Sequence, residues 1–444
     1  MIKSFKSVFK IPDLKSRIFF TLGILVLYRV GCHIPMPGIN TAALTEFFAR
    51  SRNTLFGLYD MFAGGAFRKA AVFGLGIMPY ISSSIIIQLM GAVVPYFQRL
   101  QKEGEEGRKK INQLTRYGTV FIAAMQALGV SIFLENLPPT QAGIPAVPHP
   151  GMGFRLLVMI TMTAGTILIM WMGEQITERG IGNGISLIIF IGIIARFPTA
   201  ILDEVQHLIA GNRALMMELF IFAVLLIIVG AVVMVTEGTR KIPVQYAKRV
   251  IGRKVYGGQA TYIPIRVAGF GVMAIIFAQA LMFVPQTVRQ FFPNSDFIQN
   301  ILAYFDLSSP LYWFIYGLLI VFFTYFYAAI AFNPVDVADN MKKYGGFIPG
   351  VRPGKKTAEY IDHVLSRIML PAAIFFALVA IMPYFVVKYM NVSYTFSQFF
   401  GGTSILIMVG VALDTLQQIE SHLLMRHYDG FMKTGRIRGR RVFG

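Results

Sequence analysis

The sequence predicts an all-α membrane protein with ten transmembrane helices and both termini in the cytosol. Hydrophobic residues make up 55% of the 444 residues, charged residues make up only 14%, and the mean hydropathy is +0.60. This composition is far more apolar than that of a globular domain with a polar surface. Ten apolar runs are long enough to cross a bilayer, and the basic residues concentrate on one side of the implied topology. A secreted or cytosolic enzyme is therefore excluded.

The predicted spans are apolar runs of roughly twenty residues. Backbone groups in hydrocarbon need internal hydrogen bonds, and runs without period-2 alternation satisfy them as helices. The fifth run is the shortest, and snorkelling of the flanking Arg179 and Arg196 would extend it. The runs are 18–34, 75–95, 117–134, 156–173, 181–195, 219–236, 267–288, 310–332, 368–387 and 402–424.

The distribution of basic residues predicts the orientation. Of the 41 Lys and Arg residues, 31 fall in the cytosolic segments of this map, nine fall in external segments and Arg29 lies in a span. This is the positive-inside pattern. The chain then divides into a retained cytosolic tail (1–17), a first half with spans one to five (18–200), a second half with spans six to ten (201–424) and a basic cytosolic tail (425–444). The first tail lacks the small-residue cleavage site of a signal peptide.

One external segment is not a plain loop. Residues 35–74 contain the stretch LYDMFAGGAFRKAAVFG, which is apolar but too short to cross the membrane, and which carries Asp60 and Arg68. Two interpretations remain open, a segment that dips into the membrane and returns, or a loop packed on the external surface. The flexible pair Gly64 and Gly65 permits a small mobile element here.

Three cytosolic loops are long and basic. The first, QRLQKEGEEGRKKINQ, follows span two, and the other two are 237–266 and 333–367. Alternating Val, Ile and Tyr around Gly252 and Gly257 predicts a hairpin in the second loop, whereas the Gly/Pro-rich third predicts an irregular protruding loop. A single short basic loop would be explained by contact with anionic lipid headgroups. Two loops of this length with interleaved aromatic residues favour a docking surface for a macromolecule.

Motifs for catalysis, metals or cofactors are missing from the sequence. The six histidines form no HExxH motif, and the single Cys32 excludes an intrachain disulfide or a thiolate cluster. The stretch GVRPGKKT has Lys356 where a phosphate-binding loop needs Ser or Thr. We therefore predict no enzymatic activity, no cofactor and no metal.

An ion-coupled small-solute transporter is the alternative function. Such a protein needs ionisable groups near the bilayer midplane. The only charged side chains in the predicted spans are Arg29, Asp414 and Glu420, and a structural Arg29–Asp414 pair or snorkelling explains these better than a proton relay. An apolar interior without a specific polar site suits a conduit for diverse substrates.

Several stretches carry a specific resemblance. MWMGEQITERGIGNGISLIIF and FNPVDVADNMKKYGGFIPGVRPGKKTAEYID closely resemble the two signature stretches of the SecY family of protein-translocation channels, in its bacterial form. GIMPYISSSIIIQL, KEGEEGRKKINQLTRYGT and FGGTSILI match it as well, in order along essentially the whole chain. The resemblance implies two inverted five-helix halves in the bacterial plasma (inner) membrane. It also implies a channel that passes unfolded secretory polypeptides and releases membrane-protein helices laterally into lipid, through a gate between spans two/three and seven/eight.

The resemblance also assigns site residues. It implies an external plug over about 55–70, cytosolic docking residues in two loops, and an aliphatic constriction. Lys254 stands where an arginine is common, which puts its individual role in doubt. The constriction would be Ile77, Ile81, Ile185, Ile189, Ile276 and Ile407; the plug would include Asp60, Phe62, Gly64, Gly65 and Arg68; the docking residues would be Arg253, Lys254 and Arg352.

The same resemblance implies partners. These are the small membrane subunits SecE and SecG, the SecA motor or a translating ribosome on the cytosolic face, signal peptides, unfolded polypeptide substrates and the lipid bilayer. No direct recognition of a nucleic-acid sequence is expected.

Overall fold

A computed structural model describes residues 11–50, 60, 62–139, 143–211, 215–246, 249–251, 254–256, 260–266, 271–291, 295–306, 309–390, 392, 394–397, 399 and 402–434. The helices are α1 (Pro12–Gly31), α2 (Thr41–Arg50), α3 (Met78–Val93), α4 (Pro95–Lys102), α5 (Glu105–Glu135), α6 (Met152–Arg179), α7 (Gly184–Ile194), α8 (Phe197–Ile209), α9 (Leu215–Glu237), α10 (Gly271–Phe291), α11 (Asp296–Ala303), α12 (Pro310–Ala331), α13 (Pro334–Lys343), α14 (Lys355–Met390), α15 (Tyr394–Ser397) and α16 (Gly402–Thr434). The strands are β1 (Thr239–Tyr246), β2 (Arg249–Ile251), β3 (Lys254–Tyr256), β4 (Ala260–Arg266) and β5 (Gly346–Phe347).

The helices confirm the predicted ten-span architecture. Over the described ranges, eight helices are long and apolar enough to cross a membrane, and the bent pair α3 and α4 adds a ninth. The tenth is α1, whose 20 residues suffice in length. Every 18-residue stretch of α1 contains Lys15, Arg17 and Arg29, which lowers its hydropathy. The spans are α1, the pair α3 and α4, α5, α6, α7 with its continuation α8, α9, α10, α12, α14 and α16.

Helix packing repeats between the two halves of the chain. In the first half α3 packs on α5, α5 on α6, α6 on α7, and α1 on α7. In the second half α10 packs on α12, α12 on α14, α14 on α16, and α9 on α16. Each half has five spans, so the second starts on the opposite side of the membrane from the first. The repeat is therefore inverted.

Two spans extend well beyond the predicted apolar runs. The helix α5 begins at Glu105 rather than at residue 117, and α14 begins at Lys355 rather than at residue 368. A helix of 36 residues such as α14 is about 54 Å long, whereas the hydrocarbon core is about 30 Å thick. Their polar first turns therefore project into the cytosol.

Local chemistry explains several helix ends. A 98° bend separates α3 from α4, because Pro95 has no N–H to donate and holds Val94 in an extended conformation. The helix α7 begins where the Asn183 side chain accepts a hydrogen bond from the Ser186 backbone N–H at 3.2 Å. A Cβ on Gly184 would clash with the carbonyl oxygen of Gly173, so glycine is required where α7 meets α6.

The second and third long cytosolic loops fold together. Strand β1 pairs antiparallel with β4 along its length, and Gln245 and Tyr246 of β1 pair with β5. Strands β2 and β3 form the predicted hairpin between β1 and β4. Because β5 comes from the loop after α12, one sheet joins both loops into a cytosolic body. Its buried core is Ile242, Val244, Ile265, Ala328, Met341, Ile348, Ile361, Leu365 and Met369.

The prediction that loop 333–367 is irregular is wrong for most of its length. It contains α13, β5 and the start of α14, which leaves only a short turn-rich stretch. The Asn333 side chain accepts a hydrogen bond from the Val335 backbone N–H at 3.0 Å, and Pro334 occupies the first turn of α13. Both are favourable helix-start features, and α13 then buries Met341 in the cytosolic body.

Candidate functional site

The predicted constriction residues lie on four helices that meet in the bundle. Helix α10 contacts α3 and α16, and α16 contacts α7. Ile185 is only partly buried, and its Cγ1 lies 2.9 Å from the place where a Cβ on Gly173 would stand, so it packs towards α6. The other five share one apolar cluster, with exposed fractions of 0% to 6%: Ile77, Ile81, Ile189, Ile276 and Ile407.

The described part of the plug segment is seated against the same helices. Phe62 is 2% exposed and packs edge-on against Phe283 of α10, with 6.2 Å between the ring centroids. On α7, a Cβ placed on Gly192 would lie 3.3 Å from the Cα of Gly64. Ala63 is fully buried. These contacts favour the re-entrant interpretation over an external loop packed on the surface.

Helix α1 holds the middle of the plug segment. The Arg29 guanidinium donates a hydrogen bond to the carbonyl oxygen of Gly64 at 2.7 Å. The Cys32 Sγ lies 3.8 Å from the carbonyl oxygen of Ala63. Gly64 has φ +65°, and a Cβ there would stand 3.0 Å from Arg29 Nη1, so both the backbone conformation and the space require glycine. Arg29, the charged residue of the first span, therefore stabilises the backbone of the plug segment through this hydrogen bond.

The expected Arg29–Asp414 pair does not form. Arg29 donates to the plug, while Asp414 on α16 interacts electrostatically with Arg266 at the end of β4. Arg266 also donates a hydrogen bond to Gln417. The two side chains lie in different surroundings, since Arg29 is in the last turn of α1 beside the plug segment, whereas Asp414 is near Arg266 of the cytosolic sheet.

A charge cluster around a buried carboxylate connects the plug to the start of α8. We call Asp60, Arg68 and Arg196 the plug latch. Asp60 accepts a hydrogen bond from the Arg68 backbone N–H at 2.8 Å, and the Arg68 Nε lies 3.6 Å from its other carboxylate oxygen. Arg196 forms an ion pair with that second oxygen. The side chains of Asp60 and Arg196 are 2% and 14% exposed, so the expectation that Arg196 snorkels outward is wrong.

Sequence reasoning missed the latch and the seat of the plug. Phe283 and Gly192 resemble ordinary residues of an apolar helix, and no spacing connects them with residue 62. A usable signal did exist for the latch. Asp60 and Arg196 are charged residues beside long apolar stretches, and charges that are buried in such surroundings are usually paired.

Of the predicted docking residues, Arg352 is placed by the structure on the cytosolic body. Arg352 is exposed in the turn before α14, and its carbonyl oxygen accepts a hydrogen bond from Thr357 Oγ1 at 2.9 Å. Arg253 lies outside the described residues, and Lys254 belongs to β3 although its side chain is not among those described. Other exposed basic residues on this body are Arg240, Lys241, Lys342, Lys343, Lys355 and Lys356.

The fold and the site define a class of protein: a polytopic membrane channel in which a short segment between the first two spans packs against helices that carry a buried cluster of isoleucines. Comparison with known proteins agrees. The SecY family model matches residues 71–416. The protein translocase subunit SecY of Aquifex aeolicus is 43% identical, and the match covers 98% of this chain and 100% of the relative. The chain belongs to the SecY family of protein-conducting channels, not to a family of enzymes.

Solved structures share the fold. One is a SecY structure whose plug domain stabilises the closed state of the translocation channel and maintains a membrane seal; its TM-score is 0.65 at 18% identity, covering 95% of this chain and 97% of that chain. Another is Sec61 in the canine ribosome–channel complex from the endoplasmic reticulum. Its TM-score is 0.61 at 18% identity, with the same coverage of 95% and 97%. The small-solute transporter alternative is not favoured.

Proposed function

We propose that the chain forms the pore of a bacterial protein translocation channel, as a multi-pass protein of the plasma (inner) membrane. It passes unfolded secretory polypeptides outward and releases membrane-protein helices sideways into lipid. The observation that carries this proposal is the seating of the plug, from Phe62 to Gly65, among the helices that bear the buried isoleucines. The bacterial origin of the similar relative supports the membrane assignment.

The isoleucine cluster is the proposed seal. A pore wide enough for an extended polypeptide leaks ions unless its neck is closed. A narrow aliphatic neck offers water no hydrogen bonds, so it dewets and blocks ions without a charge barrier. The aliphatic neck also binds no particular side chain of the substrate. Branched isoleucines that move apart with their helices would close around any passing residue, which lets one pore serve many sequences.

The plug is the proposed second closure. Asp60, Phe62, Gly64, Gly65 and Arg68 belong to it. Three kinds of contact support its seated position: the ring of Phe62 on α10, the hydrogen bond from α1 to Gly64, and the latch through Asp60. Because these contacts reach three different helices, separation of the helices breaks them together. Opening of the pore and release of the plug are then one coupled event.

The proposed lateral gate is the seam between the pair α3/α5 and the pair α10/α12. In the structure α10 packs against both α3 and α5, which corresponds to a closed seam. Moving an apolar segment from the pore into lipid lowers its free energy by about 25 cal/mol for each Å² of apolar surface removed from water. Parting of this seam would let such a segment leave sideways.

The cytosolic body is the proposed docking surface for the SecA motor or a translating ribosome. It joins both long loops in one sheet and carries exposed basic residues, including Arg352. Arg253 and Lys254 belong to the same proposal through their place in the hairpin. A rigid basic surface transmits force from a partner better than a flexible loop. SecE and SecG are the proposed small membrane partners, and signal peptides and unfolded polypeptides are the substrates.

Reconstituted transport tests the proposal. Proteoliposomes with the chain, SecE, SecG, SecA and ATP should protect a secretory precursor from added protease. Arg352→Glu should abolish most of this protection. The control is Lys388→Glu, which reverses an exposed charge at the external end of α14 and should transport normally. Uptake of a small solute without a motor, with no precursor protection, would contradict the proposal.

A further inference from the structure

The external segment between α10 and α12 contains a helix with three distinct faces. Ile298 and Leu302, four residues apart, are partly and fully buried against the protein. Ala303 is exposed on another side of the helix, about a third of a turn from the buried residues. A third stripe is apolar yet exposed, and at spacings of four and three residues it lies on one face of a helix. Its members are Phe297, Ile301 and Tyr304, with exposed fractions of 75%, 47% and 64%.

Hydrogen bonds hold this segment against the last turn of α10. Arg289 lies in the last turn of α10. Its Nε donates to Gln299 Oε1 at 2.7 Å, and its Nη1 donates to Asp306 Oδ1 at 2.8 Å. The helix α11 contacts α10, and six residues connect it to the start of α12 at Pro310. Gln299 lies on the side of α11 away from the exposed apolar stripe.

We propose that α11 is an interfacial helix, with Phe297, Ile301 and Tyr304 inserted into the outer leaflet of the bilayer at the depth of the headgroups. Two observations favour lipid as the occupant. The neighbouring spans expose apolar side chains near the same level, Val288 of α10 by 39% and Leu311 of α12 by 44%, so the stripe continues a surface that already faces lipid. The stripe also pairs aromatic rings with a tyrosine hydroxyl, which is the composition of the membrane interface.

The chemistry also predicts which lipids suffice. No lysine or arginine occurs in α11, and the guanidinium of Arg289 is already engaged by Gln299 and Asp306. Insertion therefore depends on apolar burial and not on attraction to anionic headgroups. Bilayers of phosphatidylcholine alone are enough. This role rests on the lateral gate proposed above: α11 would keep the external ends of α10 and α12 at one depth in the membrane while these helices move sideways.

Spin labels measure the insertion directly. Single cysteines replace Phe297 or Ala303 in the full-length Cys32→Ala protein, which is reconstituted in phosphatidylcholine nanodiscs. Phe314 on the lipid-exposed surface of α12 supplies the lipid reference, and Asn136 in an external loop supplies the water reference. Power saturation compares collisions with oxygen, which is enriched in lipid, and with a nickel chelate, which stays in water.

The label at 297 should give a severalfold higher oxygen-to-nickel ratio than the label at 303, close to that of the lipid reference. A label at Ile301 repeats the measurement if the first variant is poorly folded. Nickel access at 297 as high as that of the water reference would overturn the proposal, because α11 would then lie in water. Low access to both reagents at 297 would overturn it as well, since protein would cover the stripe. Neither result depends on transport, so the proposed channel function is tested separately.

Discussion

Replacing Arg196 with glutamine removes the cation that pairs with the buried carboxylate of the plug. While the plug is seated, the Asp60 side chain is 2% exposed and cannot recover its hydration. Breaking a buried pair by deleting one partner costs about 3–5 kcal/mol, because it leaves an uncompensated charge. Arg68 remains 3.6 Å from the same carboxylate oxygen and compensates part of the loss. We therefore expect the lower end of that range.

This cost falls on the closed state alone, because displacement of the plug would return Asp60 to water. A loss of about 3 kcal/mol lowers the ratio of seated to displaced plug roughly a hundredfold, since each 1.4 kcal/mol is a factor of ten. Resting ion conductance should rise accordingly, with flickering openings because the isoleucine neck still closes part of the time. Asp60→Asn combined with Arg196→Gln should recover much of the seal, since neither charge is then left unpaired.

Single-channel recording in planar bilayers measures the effect. The matched control is Arg155→Gln, which breaks another arginine–carboxylate pair, with Glu135, whose members are 40% and 7% exposed and which does not involve the plug. Its resting conductance should equal that of the parent. The reasoning is refuted if Arg196→Gln, at normal abundance in the membrane, stays as ion-tight as the parent. It is also refuted if Arg155→Gln leaks equally.

Three further predictions address the neck, the docking turn and a helix crossing. Ile81→Ser with Ile189→Ser should wet the neck and raise resting conductance while polypeptide transit persists; unchanged single-channel recordings would leave these isoleucines as packing residues. Arg352→Glu should weaken partner docking by about 2–5 kcal/mol if the contact is buried, seen as lost motor-driven translocation at normal channel abundance, and full transport would contradict it. Gly184→Ala should lower stability by about 1–3 kcal/mol, because its Cβ meets the Gly173 carbonyl, and an unchanged thermal unfolding midpoint in detergent would refute this.

Hydropathy and the positions of charged residues were sufficient to predict the topology, because both can be read from local stretches of sequence. The cost of burying polar backbone in hydrocarbon requires helices, and the placement of Lys and Arg orients them, without reference to which helix touches which. The same local information predicted the β2–β3 hairpin. It failed for loop 333–367, where Gly and Pro suggested irregular chain, because the burial of Met341 and Ile348 against the sheet is a long-range contact.

What the sequence by itself determined about this protein is its class, its spans and their orientation, together with the signature stretches that indicate the SecY family. Only the tertiary structure decided which polar groups pair with the plug segment. Asp60 and Arg196 are 136 positions apart in the chain, and their pairing depends on α7 and α8 bringing the guanidinium beside the re-entrant plug. Likewise, Arg29 could have paired with any anion in the bundle, and its partner became the Gly64 carbonyl because α1 ends beside it. Pairing between polar groups far apart in the sequence depends on how the helices pack. The hydrophobic periodicity of each segment therefore does not predict it.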